Sequence, residues 1–236
     1  MDPLKDAPRR KRLDFVGQLL LSLVALAFAF TVHEAAHALV ANMLGDPTAR
    51  MQGRISLNPT VQLDPVGSVI LPALVGVMTR GSGFIGWARP TPVDSRNFKN
   101  PRLDRLLVGV AGPCSNVLLG LVFALLAVPI IRTLGFSHAL SQLFVIGATL
   151  NAFLAVLNMI PVPPFDGASM VDAVVRGSAA RAWEMVRPYG ILIIVAIMVT
   201  PLSRYLLVMP NHFLLSLYDR VLLRVHGVAL FTGVAP

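Results

Sequence analysis

About twenty nearly uncharged residues, Leu13 to Val32, run without interruption into His33-Glu34-Ala35-Ala36-His37, and no other stretch restricts the fold so severely. Twenty apolar residues in a helix rise about 30 Å, the thickness of a bilayer's hydrocarbon core, where only a helix or a closed barrel satisfies the backbone. Placed four apart on that helix, His33 and His37 lie about 40° apart around its axis, so both imidazoles can grip one ion. Glu34 sits within reach of a water on the same ion. In the H-E-x-x-H pattern the two histidines hold zinc and the glutamate acts as general base. The alternative, a polar cluster that merely packs helices, leaves a carboxylate and two imidazoles unpaired in an apolar run, at a cost of about 3 kcal/mol or more.

Composition agrees with a membrane setting. Of 236 residues, 55% are hydrophobic and 14% charged, against about 25% charged in a soluble domain, and the mean hydropathy is +0.70. The expectation is an all-α multi-pass membrane protein with about four to six membrane segments. The net charge of +8 does not point to nucleic acid. Its basic residues cluster at Arg9-Arg10-Lys11-Arg12 and in loops between apolar runs, where they meet lipid head groups and set topology. The single cysteine, Cys114, excludes an intramolecular disulfide and has no Cys or His nearby to complete a ligand set. A basic region ahead of an apolar run is also the plan of a signal peptide. Here the run is too long, and cleavage near Ala27 or Ala41 would remove or split the motif, so it reads as a retained helix.

In chain order, a basic segment (1–12) precedes a membrane domain (13–210) and an interfacial tail (211–236), in which Arg220, Arg224 and His226 mix with leucines and valines. Gly45-Asp46-Pro47 stops the first helix. Residues 48–57 alternate polar and apolar, which predicts a strand, and 84–87 a further short one, together a small β-hairpin or sheet near the site. Residues 63–79 are apolar but short and carry Pro65, Gly67, Pro72 and Gly76, which fits a re-entrant segment as well as a crossing one. Further spans are expected over 103–131, 139–160 and 189–209. Counting basic loop residues puts Arg50, Arg54, Arg89 and Arg96 on the cytosolic side, while Arg9 to Arg12 argue for the opposite orientation.

A catalytic zinc takes three protein ligands and keeps one position open. His138, His212 and His226 lie in loops or the tail without an accompanying motif and read as surface or interfacial residues. Asp166 directly follows an apolar span and Pro161, Pro163 and Pro164. These prolines end the helix and bring no N–H to leave unbonded at membrane depth. Gly167 then permits a sharp turn. The plainer role for Asp166 is an N-cap for a helix over 168–176. Asn158 and Asn116 are polar groups in apolar runs that must find hydrogen-bond partners. Either can donate to a developing oxyanion, Asn158 being preferred for its closeness to Asp166. An interhelical hydrogen bond is the alternative, and the favoured one for Asn116 and Asn151.

These stretches together resemble the site-2 protease family of intramembrane zinc metalloproteases. The resemblance rests on His33-Glu34-Ala35-Ala36-His37, Gly53-Arg54-Ile55-Ser56-Leu57-Asn58-Pro59, Leu63-Asp64-Pro65-Val66-Gly67, Ala111-Gly112-Pro113-Cys114-Ser115-Asn116 and the run from Asn158 to Gly167. It is nearest to the small prokaryotic members without PDZ or CBS domains, and covers about residues 15–175. The resemblance implies one zinc per chain on His33, His37 and Asp166, Glu34 as catalytic base, and Asn158 at the family's active-site asparagine. It also implies a multi-pass protein of a bacterial or archaeal cytoplasmic membrane. Its substrates would be single-span membrane proteins already trimmed by another protease, such as an anti-sigma factor, a sporulation factor or a signal-peptide remnant. Gln62 departs from the family, which typically has histidine before the Asp-Pro pair, and Cys114 replaces the usual aliphatic residue.

Hydrolysis inside a bilayer needs a polar cavity, for which the loops at 45–102 and 161–187 supply the walls. A substrate helix must also unwind before its carbonyls can be attacked. A free strand edge can hold the unwound form, and 48–57 is the expected edge. Two rival readings are a membrane metal transporter, since intramembrane His, Glu and Asp also mark ion pathways, and a catalytically inactive homologue that binds membrane helices.

Overall fold

The computed structural model of the chain describes residues 14–81 and 85–232. The basic segment 1–12 and Phe84 of the second expected strand lie outside them. Four of the described helical runs are long and apolar enough to cross a membrane. They are α1 (Phe15–Met43), α3 (Pro101–Leu134), α4 (Ala139–Asn158) and α5 (Gly177–Val199), while α2 (Pro65–Met78) is apolar but shorter. A final helix, α6 (Met209–His226), follows.

α1, α3 and α4 pack on one another as an antiparallel out-and-back set. Their contact faces are built from small residues: Ala25, Ala29, Ala38 and Ala41 on α1, Ala124 and Ala127 on α3, and Ala148, Ala152 and Ala155 on α4 are all essentially inaccessible. In a membrane no hydrophobic force separates helix from lipid, so close backbone approach over small side chains is what holds such helices together. Leucines and phenylalanines such as Leu20, Phe28, Leu118 and Leu126 face outward. Residues 211–226, expected within an interfacial tail, form most of α6. Its Tyr218 and Leu222 join a core cluster with Ala124, Val128, Ala148 and Ala152. Buried Asp219 accepts from the amides of Leu230, Phe231 and Thr232 and folds the following chain back onto the helix.

Two expectations are corrected. Among the described residues there is no strand; Thr48–Met51 and Pro59–Gln62 are single helical turns instead. Asp46 Oδ1 accepts from both the amide and the hydroxyl of Thr48 and so starts a turn, and Gly53 at φ +69° breaks the backbone direction. The carbonyls of Arg54 and Ser56, which a partner strand would need, are already taken by the Gln62 side-chain amide at 2.6 and 2.9 Å. The last span is not 189–209 either. The helical run begins at Gly177 and stops at Val199, because Thr200 precedes Pro201 and is held extended (φ −105°, ψ 163°).

α2 leads out and the chain then comes back along its start. The Trp87 amide donates to the Gly67 carbonyl at 3.0 Å and the Arg89 amide to the Gln62 carbonyl at 2.9 Å. Residues 85–94 therefore form an extended strap beside the C-terminal half of α1.

Candidate metal centre

The C-terminal half of α1, the N-terminal half of α3 and the loop after α4 meet at one place. There His33 Nε2 lies 3.0 Å from His37 Nε2 and 3.0 Å from Asp166 Oδ2, and His37 Nε2 lies 3.3 Å from Asp166 Oδ1. Among the described residues this is the one group of three such side chains whose donor atoms cluster closely enough to share an ion.

The outer ring nitrogens determine what the inner ones can do. His33 Nδ1 donates to Asn116 Oδ1 at 3.1 Å, and His37 Nδ1 donates to the Val108 carbonyl at 2.6 Å. A neutral imidazole that gives its proton at Nδ1 keeps a bare lone pair at Nε2. Two such lone pairs and a carboxylate therefore face one another, and the buried Asp166 Oδ2 takes no hydrogen bond despite its closeness to His33. Three mutually repelling acceptors at this spacing fit a cation between them. Tetrahedral corners about 2.0–2.1 Å from zinc are about 3.3 Å apart, close to the three separations observed.

The neighbouring backbone leaves room for that ion. A Cβ on Gly112 would stand 2.4 Å from His37 Nε2 and 2.6 Å from His33 Nε2, near the point on which the ligands converge. Asp166 is brought there by the proline-broken loop, whose Gly167 amide donates to the Asn158 carbonyl at 2.7 Å. Gly167 has ordinary helical torsions (φ −56°, ψ −21°), so the sharp-turn reading is corrected. Glycine is needed because a Cβ would meet the Ile160 and Met159 carbonyls at 2.4 and 2.5 Å.

Glu34 lines the same cavity as the histidines and reaches the strap. Thr91 donates to Glu34 Oε2 through its amide at 2.8 Å and its hydroxyl at 2.7 Å. Buried Arg54 stands with a guanidinium nitrogen 4.0 Å from the same oxygen and ties the strap to the Pro59–Gln62 turn by donating to the carbonyls of Arg89 and Val61. Asp46 anchors the far end of the strap, accepting from the Asp94 amide and the Asn97 side chain. Burial pushes the Asp46 carboxyl up, but the bonds from Thr48, Asn97 and Asp94 outweigh it and hold it below its ordinary value. A cavity of about 900 Å³ opens over the site between the strap and the loop around Asp166.

Of the residues singled out from sequence, His33, His37 and Asp166 converge, Glu34 adjoins them, and Asn158 lines the same cavity while its amide donates to Leu154 O at 3.0 Å. His138 caps α4, His226 bonds Leu125 O, and His212 is exposed, all away from the centre. Asn116 makes the interhelical bond favoured for it, with His33 as its target. Asn151 bonds within its own helix, to Gly147 O. Thr91 and Val108 carry no sequence signal of a role here, and Arg54 stands in a motif that does not name its target, since each acts through a contact between distant parts of the chain.

Residues 128–200 match the model of Peptidase family M50. The chain is 40% identical over 191 residues to YwhC of Bacillus subtilis (strain 168), covering 78% of this chain and 83% of that protein. It is 29% identical over 193 residues to Rip2 of Mycolicibacterium smegmatis, covering 80% and 70%. It is 28% identical over 151 residues to MJ0611 of Methanocaldococcus jannaschii, covering 63% and 67%. The names of all three assign them provisionally to the zinc metalloproteases. No solved structure matches the chain.

Proposed function

The chain belongs to peptidase family M50, and from that premise we propose that it is an intramembrane zinc metalloendopeptidase that cuts peptide bonds in or near the transmembrane segments of other proteins. The observation that carries this reading is the meeting of His33, His37 and Asp166, lone pairs inward, beside a carboxylate in a cavity among apolar helices.

In this reading His33, His37 and Asp166 hold one zinc per chain. Zinc, when bound, lowers the pKa of water to about 7 and polarises a carbonyl. Glu34 takes the proton of the attacking water and delivers it to the leaving amine. Asn116 and Val108 keep both imidazoles in the tautomer that presents Nε2. Asn158 is the donor for the developing oxyanion, reached when its amide turns off Leu154 O.

The substrate docks on the strap, which replaces 48–57 as the edge. Trp87, Arg89 and Thr91 spend their amides on the body of the protein, and the carbonyls of Trp87 and Arg89 are bonded by Ser68 and Arg54. Along an extended chain the alternate residues point the other way. Gly86 and Ala88 line the cavity, and none of the described residues bonds their amides or carbonyls. An unwound substrate segment can pair with that edge as an added strand.

The substrate class that fits is a single-span membrane protein, cut in a second step of regulated intramembrane proteolysis. An anti-sigma factor or a signal-peptide remnant has that form. The protein would lie in a prokaryotic cytoplasmic membrane, with residues 63–79 re-entrant, residues 13–210 forming the protease domain and 211–236 following it. A transporter has no use for a base held beside the ion, which disfavours that rival.

The test is incubation of purified protein with a tagged single-span substrate in liposomes. Cleavage within or at the edge of the span is expected, blocked by a zinc chelator and restored by added zinc. Cleavage indifferent to the chelator would overturn the reading, and so would zinc-loaded protein that cuts none of a panel of such substrates.

A further inference from the structure

The two oxygens of Glu34 are treated differently by the fold. Oε2 accepts from the Thr91 amide and hydroxyl at 2.8 and 2.7 Å and faces Arg54 at 4.0 Å. Among the described residues, no hydrogen bond reaches Oε1. The Thr91 hydroxyl also lies 3.0 Å from Glu34's own carbonyl, but it has one proton to give. When that proton goes to the carboxylate, both lone pairs of Oε2 are engaged.

We propose that Thr91 is a positioning residue for hydrolysis: it occupies Oε2 of Glu34 and leaves Oε1 as the oxygen that takes and returns the proton. This rests on Glu34 being the base. In the reaction Oε1 receives a proton from the attacking water and passes it to the leaving nitrogen, while Thr91 keeps its own proton throughout. A carboxylate free to rotate would present either oxygen at varying distance, and proton transfer needs a donor and acceptor held about 2.6–3.2 Å apart.

Thr91 is well held for this task. Pro90 and Pro92 flank it and fix their own φ, and Arg54 and Gln62 bind the strap two residues earlier, at Arg89. The strap that carries Thr91 is also the proposed docking edge. Substrate pairing at Gly86 and Ala88 would therefore stiffen the element that aims the base.

The experiment compares wild type with Thr91→Val, Thr91→Ser and Glu34→Gln in the liposome assay, with zinc content measured for each. Thr91→Val keeps the amide donor and loses the hydroxyl. Its kcat should fall about tenfold, a fraction of the ~10²–10⁴ that general-base catalysis supplies, with KM and zinc content near wild type, and Thr91→Ser should restore kcat. A second readout needs no turnover. Because the contact is reciprocal, hydrogen exchange of the strap peptide 85–98 should speed up in Glu34→Ala and stay slow in Glu34→Gln, which can still accept from Thr91.

Wild-type kcat in Thr91→Val, failure of Thr91→Ser to restore it, or equal strap exchange in Glu34→Ala and wild type would each overturn the proposal. Wild-type cleavage by Glu34→Gln would instead remove the base assignment, and the proposal with it.

Discussion

Gly112→Ala is expected to yield a folded protein that retains no zinc and cleaves no substrate. The added Cβ would stand 2.4 and 2.6 Å from the two Nε2 atoms, too close for any real contact and near the position an ion would take. Neither neighbour can easily give way, because His33 is tied to Asn116 and His37 to Val108 O, both on the helix that carries Gly112. The loss of zinc affinity should exceed the ~10–100-fold typical of removing a supporting partner. Metal content after purification, with chelator competition for any residual binding, measures it. Gly147→Ala is the matched control. Its Cβ would press on the Phe123 ring at 2.6 Å, an overpacking that costs about 1–3 kcal/mol of stability but lies away from the ligands. Zinc should stay at wild-type level there.

Glu34→Gln should have the opposite profile, keeping zinc and losing cleavage by about 10²–10⁴ in kcat. Glutamine matches glutamate in shape, and its carbonyl oxygen can still accept from Thr91, so the strap and the cavity wall stay in place. What it lacks is basicity. Zinc content together with single-turnover cleavage separates the two effects. Loss of zinc in this variant would mean that Glu34 supports the metal, and unchanged turnover would mean that another group moves the proton.

The cluster of His33, His37 and Asp166 was readable in the sequence because its signals are local. Two histidines at helical spacing and an aspartate after a proline-broken span can be found without knowing which helices touch. The supporting groups act across the fold. Asn116 reaches His33 and Thr91 reaches Glu34 only once α1, α3 and the strap are assembled, and nothing in their neighbouring residues names the target. Gly112 stands in a motif visible in sequence, but its steric reason appears only when α3 lies against the histidines.

The long apolar helices were equally readable, because their length is fixed by the bilayer. Short segments were not. The period-two pattern over 48–57 does not track burial: Met51 and Leu57 are exposed, while Ala49 and the charged Arg54 are buried in an irregular loop. The extended segment, 85–94, carries a strand signal only at its start, 85–87, because Pro90 and Pro92 interrupt any pattern beyond it. The end of α5 was misplaced because hydropathy continues past Pro201, while the helix breaks at Thr200 and restarts beyond the proline.

The central claim is that His33, His37 and Asp166 share one zinc. X-ray absorption at the zinc edge of the purified, membrane-reconstituted protein tests it most directly. Two imidazoles and oxygen donors at about 2.0–2.1 Å, with no sulfur, are predicted, and in His37→Ala either zinc should be lost or its imidazole signal should fall by about half. Absence of stoichiometric zinc, or a zinc environment that stays the same in His37→Ala, would contradict the account.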